Sequence, residues 1–357
     1  MRILLVRLRL IGDVVFTTPA IAALRRHFPQ AHLAYLVEPS AAPVVATSPH
    51  LSELIVVPHT RGWQRVRDDV RLARDLRRRH FDVAIDFHGG PRSAWLTWAS
   101  RAPVRVGYDI PGRTWMYTRV VHRPRGLHPR HSVENQWDLL RAVDPAIAAT
   151  ADPAIDRCEM PVDPAARASA ARRLSAFGVP DEARIIVLHV SAGNPFRRWP
   201  ESAFAELAAG LVTREPSRWV VVTGGPSDRA AASRVLTDAR ARAGAAAGRL
   251  VDAEGLTLAE LRALLDRAAL FVGGDSGPLH IASTSNVPVV GLYGPTLPER
   301  SAPWRPRTIP TESVDAGALP CRPCDQRECA PGDFRCLTGV PASRVHDAAE
   351  RLLAMAR

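Results

Sequence analysis

Short apolar runs alternate with polar segments of helical period along the whole chain. Arg2 to Leu8 (RILLVRL), Ala31 to Val37, Leu54 to Val57 and Phe81 to Phe87 (FDVAIDF) have the length and composition of buried strands. Between them, Val14 to Phe28 sets Val14, Phe16, Ile21, Ala22 and Leu24 on a helix, and Arg61 to His80 carries a narrow stripe of Val66, Val70, Leu72 and Leu76 on a charged one. The second half repeats this grammar. Ile185 to Val190 (IIVLHV), Trp219 to Thr223 (WVVVT), Ala268 to Val272 and Val287 to Tyr293 predict strands; Pro200 opens a helix running to about Val212, and Leu258 to Ala269 predicts another. Alternating buried strands and helices predict doubly wound α/β sheets. A Pro- and Ala-rich passage from Asp144 to Asp181 divides the halves and reads as a linker with a lead-in helix.

In such sheets ligands collect where strands end and helices begin, because backbone N–H groups and the positive end of the helix dipole converge there. The stretch Leu270 to Pro295 is one such step: the strand breaks at Gly273-Gly274-Asp275-Ser276-Gly277, and Pro278 opens a helix. Its glycines let backbone approach a phosphate, and Asp275 and His280 offer an acceptor and a donor to hydroxyls; an ordinary turn with a capping Asp is the plainer account. Gly12-Asp13 ends the first strand, and Asp13 is the candidate catalytic carboxylate. A helix dipole would lower its pKa and burial would raise it. Arg197 and Arg198 follow Val190, where a diphosphate needs countercharge, or they form a solvated pair. Ser227 and Asp228 follow Gly224-Gly225-Pro226 and could take a ribose or base edge, or only start a helix.

Composition narrows the function classes. The 357 residues, 46% of them hydrophobic, suffice for two cores. No window approaches the ~20 apolar residues of a membrane span, and the arginine-interleaved start is no signal peptide, so a cytoplasmic protein is expected. A formal charge of +11 points to an acidic partner: phosphorylated lipid, an anionic membrane face or nucleic acid. Arginine far outnumbers lysine and alanine is abundant, so genomic composition also contributes. Aromatics are few and no basic-aromatic platform is visible, which argues against nucleic acid. The chain has no G-x-G-x-x-G opening its first helix, no Walker loop and no G-x-S-x-G. It also lacks Asp-x-Asp, so a leaving diphosphate would be stabilised by arginine, backbone amides and a helix dipole.

Cys321, Cys324, Cys329 and Cys336 have the spacing of a small thiolate finger for zinc or iron, set in a Pro/Gly-rich loop. A reduced surface loop is the alternative. Any such metal would brace the loop and take no part in chemistry, and Cys158 reads as an ordinary thiol.

Taken in order, MRILLVRLRLIGDVVFTTPAIAALRRHFP, FDVAIDFHGGPRSA, HVSAGNPFRRWP and FVGGDSGPLHIASTSNVPVVGLYGP resemble the ADP-heptose:lipopolysaccharide heptosyltransferases, glycosyltransferase family nine. The resemblance implies an α/β fold of GT-B type, two Rossmann-like doubly wound domains facing across a cleft. Residues 1–165 would form the acceptor domain, 166–340 the nucleotide-sugar domain with a Cys-rich loop at 321–336, and 341–357 a final helix that packs back on the N-terminal domain. It implies inverting transfer of heptose from ADP-heptose to an acidic, lipid-linked acceptor with no catalytic cofactor, peripheral to the cytoplasmic face of the inner membrane. Asp13 matches the family's general base and Ser191 a hydroxyl on the donor phosphates. Arg197 falls where the family has a basic residue, usually lysine, on the diphosphate, with Arg198 as fallback because the loop is one residue longer. Asp275, Ser276, Gly277 and His280 match the donor loop, Leu256 an apolar contact to adenine, and Arg7 stands where many members have lysine. Arg92, Arg113, Arg119 and His131 are acceptor-side candidates. Transfer to a protein or another surface glycan, or a non-catalytic protein binding an anionic lipid or nucleic acid, stays open beside this reading.

Overall fold

The computed structural model describes residues 1–122, 129–191 and 194–355. Two compact units divide between Pro161 and Val162, just ahead of the expected 165/166 boundary.

The first unit runs β1 (Arg2–Val6), α1 (Ile11–Val15), α2 (Thr18–His27), β2 (His32–Val37), β3 (Glu53–Val56), α3 (Gly62–Arg78), β4 (Val83–Asp86), α4 (Pro91–Ala99), β5 (Val104–Tyr108), β6 (Arg119–Val121) and α5 (Ser132–Val143). Its strands lie in the order β3-β2-β1-β4-β5-β6, every neighbouring pair parallel. Ile3, Leu4, Leu5 and Val6 are wholly buried, as a central strand covered on both faces requires. The single helix expected over Val14–Phe28 is broken in two. Pro19 has no N–H to give the Val15 carbonyl, and the hydroxyls of Thr17 and Thr18 take the Val14 and Val15 carbonyls instead.

The expected linker also differs. From Asp144 to Pro161 the chain is fastened to the first unit: His27 pairs with Asp144, Arg26 with Asp156 and His50 with Glu159, while Ile147, Cys158 and Met160 are buried. Buried apolar residues spaced too irregularly to show a period hid this packing from the sequence.

The second unit runs α6 (Pro164–Ala176), β7 (Arg184–Val190), α7 (Glu201–Arg214), β8 (Arg218–Gly224), α8 (Arg229–Ala243), β9 (Leu250–Asp252), α9 (Leu258–Leu265), β10 (Ala268–Gly274), α10 (Gly277–Ala282), β11 (Val289–Tyr293), α11 (Pro298–Ser301), β12 (Thr311–Asp315), α12 (Arg335–Thr338) and α13 (Ala342–Met355). Its order, β12-β11-β10-β7-β8-β9, is again all parallel. Numbered within its own unit, each sheet therefore has the order 3-2-1-4-5-6.

The final helix, expected to pack back on the N-terminal half, lies on elements of the second unit. Val345, Ala348, Ala349, Leu352 and Leu353 join the core under α7 and α8. Arg218, 1% exposed, holds Glu350 of α13 at 2.9 Å, and Arg184 donates to the Leu353 carbonyl at 2.6 Å. Residues 356 and 357 of the expected final segment lie outside the described residues. No helix of the described residues is long and apolar enough to cross a membrane.

Candidate functional site

A 3-2-1-4-5-6 order reverses direction between its first and fourth strands, and the loops leaving those two strands splay apart to open a crevice. In the first unit these are the loops after β1 and β4. Arg7, just past β1, donates Nη1 to the Phe87 carbonyl at 2.6 Å and forms an ion pair with Asp13 through Nη2. Asp13 stands in the first turn of α1 with its side chain a third exposed, so a ligand can reach it.

After β4 the turn is built on Asp86. Its buried carboxylate accepts the N–H groups of His88 and Gly89, each at 2.9 Å, the Ser93 hydroxyl at 3.0 Å and the Tyr117 hydroxyl at 2.7 Å. Burial pushes the carboxyl up and these donors partly counter it. Four donors leave Asp86 no role as a base, so it anchors the loop. Gly107 makes room for Tyr117, since a Cβ there would lie 2.3 Å from the ring. His88 presents an imidazole that burial and the cations Arg7, Arg9 and Arg113 hold down at about 4, hence neutral at physiological pH. Its Nδ1 is buried without a hydrogen-bond partner among the described residues. Arg113 donates to the Gly89 carbonyl at 2.7 Å, so the carbonyls on either side of His88 each carry an arginine.

Of the four expected acceptor-side residues, only Arg113 joins this cluster. Arg92 is taken up by Asp69 at 2.5 Å and Glu38 at 3.2 Å. Arg119 donates to the Ala142 and Val143 carbonyls at 2.7 and 2.9 Å, satisfying the end of α5. His131 is the buried N-cap of α5, its Nδ1 accepting from Val133 N–H and its ring edge-on to Phe16. These three serve the fold, because their flanking helices present unsatisfied ends and carboxylates that a nearby cation or imidazole meets first.

In the second unit the corresponding loops follow β7 and β10. Asp275, 4% exposed, meets Arg197 Nη1 at 3.3 Å through Oδ2 and His280 Nε2 at 3.4 Å through Oδ1, and takes the Thr296 hydroxyl as well. Burial alone would raise this carboxyl, but His280, Arg197 and Thr296 outweigh it and hold it at about 2. Arg197 also donates to the Asp275 carbonyl at 2.7 Å. Ser191 donates to the Ser276 hydroxyl at 3.3 Å, joining the two loops, and Gly277 begins α10. Arg197 is thus the arginine drawn into the cluster; Arg198 is exposed.

Asp228 stands at the start of α8 with its carboxylate accepting the Gly225 N–H at 3.1 Å, which closes the turn ahead of the helix. Leu256 is half-buried in the β9–α9 loop, ahead of the Thr257–Glu260 capping box. Sequence reasoning missed Thr296, whose only signal was its place just past the Val289–Tyr293 strand. It also missed His189, a buried imidazole held at about 4 by desolvation, with Nδ1 3.0 Å from the Thr223 hydroxyl.

The thiols of Cys321, Cys324, Cys329 and Cys336 are free and half-buried, and burial together with the other three pushes the Cys336 thiol up. Among the described residues no three His, Cys, Asp or Glu side chains stand at the spacing that holds a metal ion. The thiols are gathered, but they are not arranged as a ligand set.

The chain is 26% identical over 356 residues to lipopolysaccharide heptosyltransferase 3 of Escherichia coli, covering 97% of each. Its fold superposes on a glycosyl transferase of family 9 from Veillonella parvula with a TM-score of 0.82 at 24% identity, covering 99% of this chain and 97% of the other. It superposes on the E. coli ADP-heptose lipopolysaccharide heptosyltransferase II with a TM-score of 0.79 at 20% identity, covering 99% of each. With those structures it shares the paired doubly wound sheets of the GT-B fold. Residues 70–332, well over half of the chain, match glycosyltransferase family 9 (heptosyltransferase), and the chain belongs to that family of glycosyltransferases.

Proposed function

We propose that the enzyme transfers heptose from ADP-heptose to an acidic, lipid-linked lipopolysaccharide inner-core acceptor, with inversion at the anomeric carbon and no metal in the reaction. Asp13 takes the proton of the acceptor hydroxyl as its oxygen attacks the anomeric carbon. The bond from that carbon to the diphosphate breaks on the opposite face, and ADP leaves. Charge growing on the leaving diphosphate is met by the Arg197 guanidinium, the Ser191 and Ser276 hydroxyls and the Gly277 N–H, while Asp275, ionised and held by His280, accepts from sugar hydroxyls. Leu256 contributes an apolar surface for the adenine. Arg7 orients the Asp13 carboxylate, and Arg113 adds positive charge for an anionic acceptor. The absence of Asp-x-Asp from the chain supports the metal-free reading. The +11 charge, with Arg61, Arg65 and Arg67 exposed at the start of α3, supports work at the cytoplasmic face of an anionic membrane.

One observation carries this reading: residues singled out from separate motifs, Asp13 in one sheet and Ser191, Arg197, Asp275 and His280 in the other, all sit at the strand-order reversal of their own sheet. Calorimetry with ADP-heptose, ADP-glucose and UDP- and GDP-sugars tests the donor, and Asp13→Asn tests the base. ADP-heptose should bind most tightly, and the variant should lose transfer while still binding donor. Far tighter binding of a UDP- or GDP-sugar would overturn the donor, and full activity of Asp13→Asn would overturn the mechanism.

A further inference from the structure

We infer that Gln326, in the middle of the four-cysteine loop, is a positioning residue for donor binding: it holds the Arg197 guanidinium in the orientation that meets the diphosphate. The inference rests on the reading of Arg197 given above. Gln326 Oε1 accepts from Arg197 Nε at 2.9 Å and from Asn194 Nδ2 at 3.3 Å. The orientation of both amides follows from chemistry. Asn194 Oδ1 already accepts the Phe196 N–H at 3.0 Å, so its Nδ2 must face Gln326, and two donors facing Gln326 require its oxygen there.

The arginine's hydrogen bonds then divide by arm. Nε is held by Gln326 and Nη1 by the Asp275 carbonyl and carboxylate, while Nη2 has no partner among the described residues. Two of the three nitrogens are spent fixing the plane of the fork, and the third keeps both its N–H groups for an anionic oxygen. Asp275 alone would hold the fork at one corner and let it swing. With Gln326 at the second corner the plane is set before ligand arrives, which is how pre-organisation improves affinity.

Gln326 can do this because its loop is itself fastened to the donor side. Arg322 donates to the carbonyls of Gly294 at 2.6 Å and Thr296 at 2.9 Å, and pairs with Asp315 at 2.7 Å. Cys324 N–H donates to the Pro295 carbonyl at 3.2 Å, and Phe334 packs edge-on against Phe196, beside Arg197. Thr296, whose carbonyl Arg322 holds, is the residue whose hydroxyl meets Asp275. The cysteine loop therefore reaches the donor cluster by two routes, through Gln326 to Arg197 and through Arg322 to Thr296.

A double-mutant cycle on the full-length enzyme tests the inference, with ADP as the calorimetric probe and steady-state kinetics beside it. Gln326→Met removes the acceptor at similar side-chain length, and should weaken ADP binding and raise the donor KM about tenfold, the scale of one charge-assisted hydrogen bond, with kcat falling as well because the same fork meets the charge growing on the diphosphate. Gln326→Glu, which keeps an oxygen at the same reach, should lose less. Arg197→Ala should weaken binding more than either, and adding Gln326→Met to it should cost nothing further. If Gln326→Met binds ADP as the unaltered enzyme does while Arg197→Ala binds weakly, the inference fails and the donor reading stands. If Arg197→Ala itself binds normally, the donor reading fails. An undiminished Gln326→Met effect in the Arg197→Ala background would show that Gln326 acts by another route, which also overturns the inference.

Discussion

Replacing Tyr117 by phenylalanine removes one hydroxyl and nothing else, and the structure fixes what that should do. The hydroxyl donates at 2.7 Å to Asp86, a carboxylate with no exposed surface, leaving Gly89 N–H, His88 N–H and the Ser93 hydroxyl as its other donors. A hydrogen bond to a buried charge contributes about 2 kcal/mol, and a carboxylate with no exposed surface cannot turn to bulk solvent in its place. The pH dependence follows from the direction in which Asp86 is shifted. Burial raises its folded-state pKa above the unfolded value of about 3.9, so its contribution to stability is fully present below that value and lost as pH rises through the folded value. Losing Tyr117 pushes the carboxyl further up. The cost of Tyr117→Phe should therefore be about 2 kcal/mol where Asp86 is ionised and roughly half that where it is protonated, since a bond to a neutral carboxyl is weaker. Urea unfolding of both proteins over a pH series measures the difference, and hydrogen exchange reports on the His88 and Gly89 amides. Those amides should exchange faster in the variant, and the acceptor KM should rise with donor affinity unchanged. A cost below about 0.5 kcal/mol throughout the series, or one that grows as the pH falls, would refute the reasoning.

Two further expectations concern the second unit. His189 is held at about 4 against an ordinary 6.5, so stability should fall as pH drops from 6.5 towards 4, by on the order of 3 kcal/mol at the lower end. His189→Gln should flatten that slope in a pH series of thermal unfolding. Arg218→Ala strands Glu350 and Glu215 beside a buried gap and should cost about 3 kcal/mol by chemical denaturation, with Arg218→Met costing less because it refills the space.

The central strands were legible because a parallel strand covered on both faces is apolar nearly throughout, as Ile3 to Val6 and Ile185 to Leu188 are. Of the four edge strands, only Glu53–Val56 was. Arg119–Val121, Leu250–Asp252 and Thr311–Asp315 are short and carry polar residues, so neither an apolar run nor an alternation marks them. At the site, motif and strand-end position located Asp13, Asp275 and Arg197. Nothing local separated Arg113, whose guanidinium reaches the Asp13 cluster, from Arg92 and Arg119, whose guanidiniums are spent on a carboxylate and on a helix end. That distinction is set by which unsatisfied group lies within reach in the fold, and residue type does not encode it. Gln326 was hidden for the same reason: its importance lies in one acceptor oxygen delivered from more than a hundred residues away in sequence.

The two strand-order reversals solve different electrostatic problems with the same side chain. The chain contains no lysine, so every fixed cation near either cluster is a guanidinium. In the first unit burial, helped by the charges of Arg7, Arg9 and Arg113, keeps His88 neutral. In the second unit Arg197 and His280 keep Asp275 ionised, so it accepts hydrogen bonds and does not donate them. A planar guanidinium suits both tasks because it can be pinned through one or two nitrogens to a carbonyl and still present another to a ligand. Arg7 does this with Phe87 and Asp13, and Arg197 does it with Gln326 and Asp275. In this chain Arg197 is pinned by Gln326 and Asp275 at separate nitrogens, and a lysine there has one nitrogen for both, so Arg197→Lys should keep the charge and lose part of the orientation, giving a donor affinity between that of Arg197→Ala and that of the unaltered enzyme.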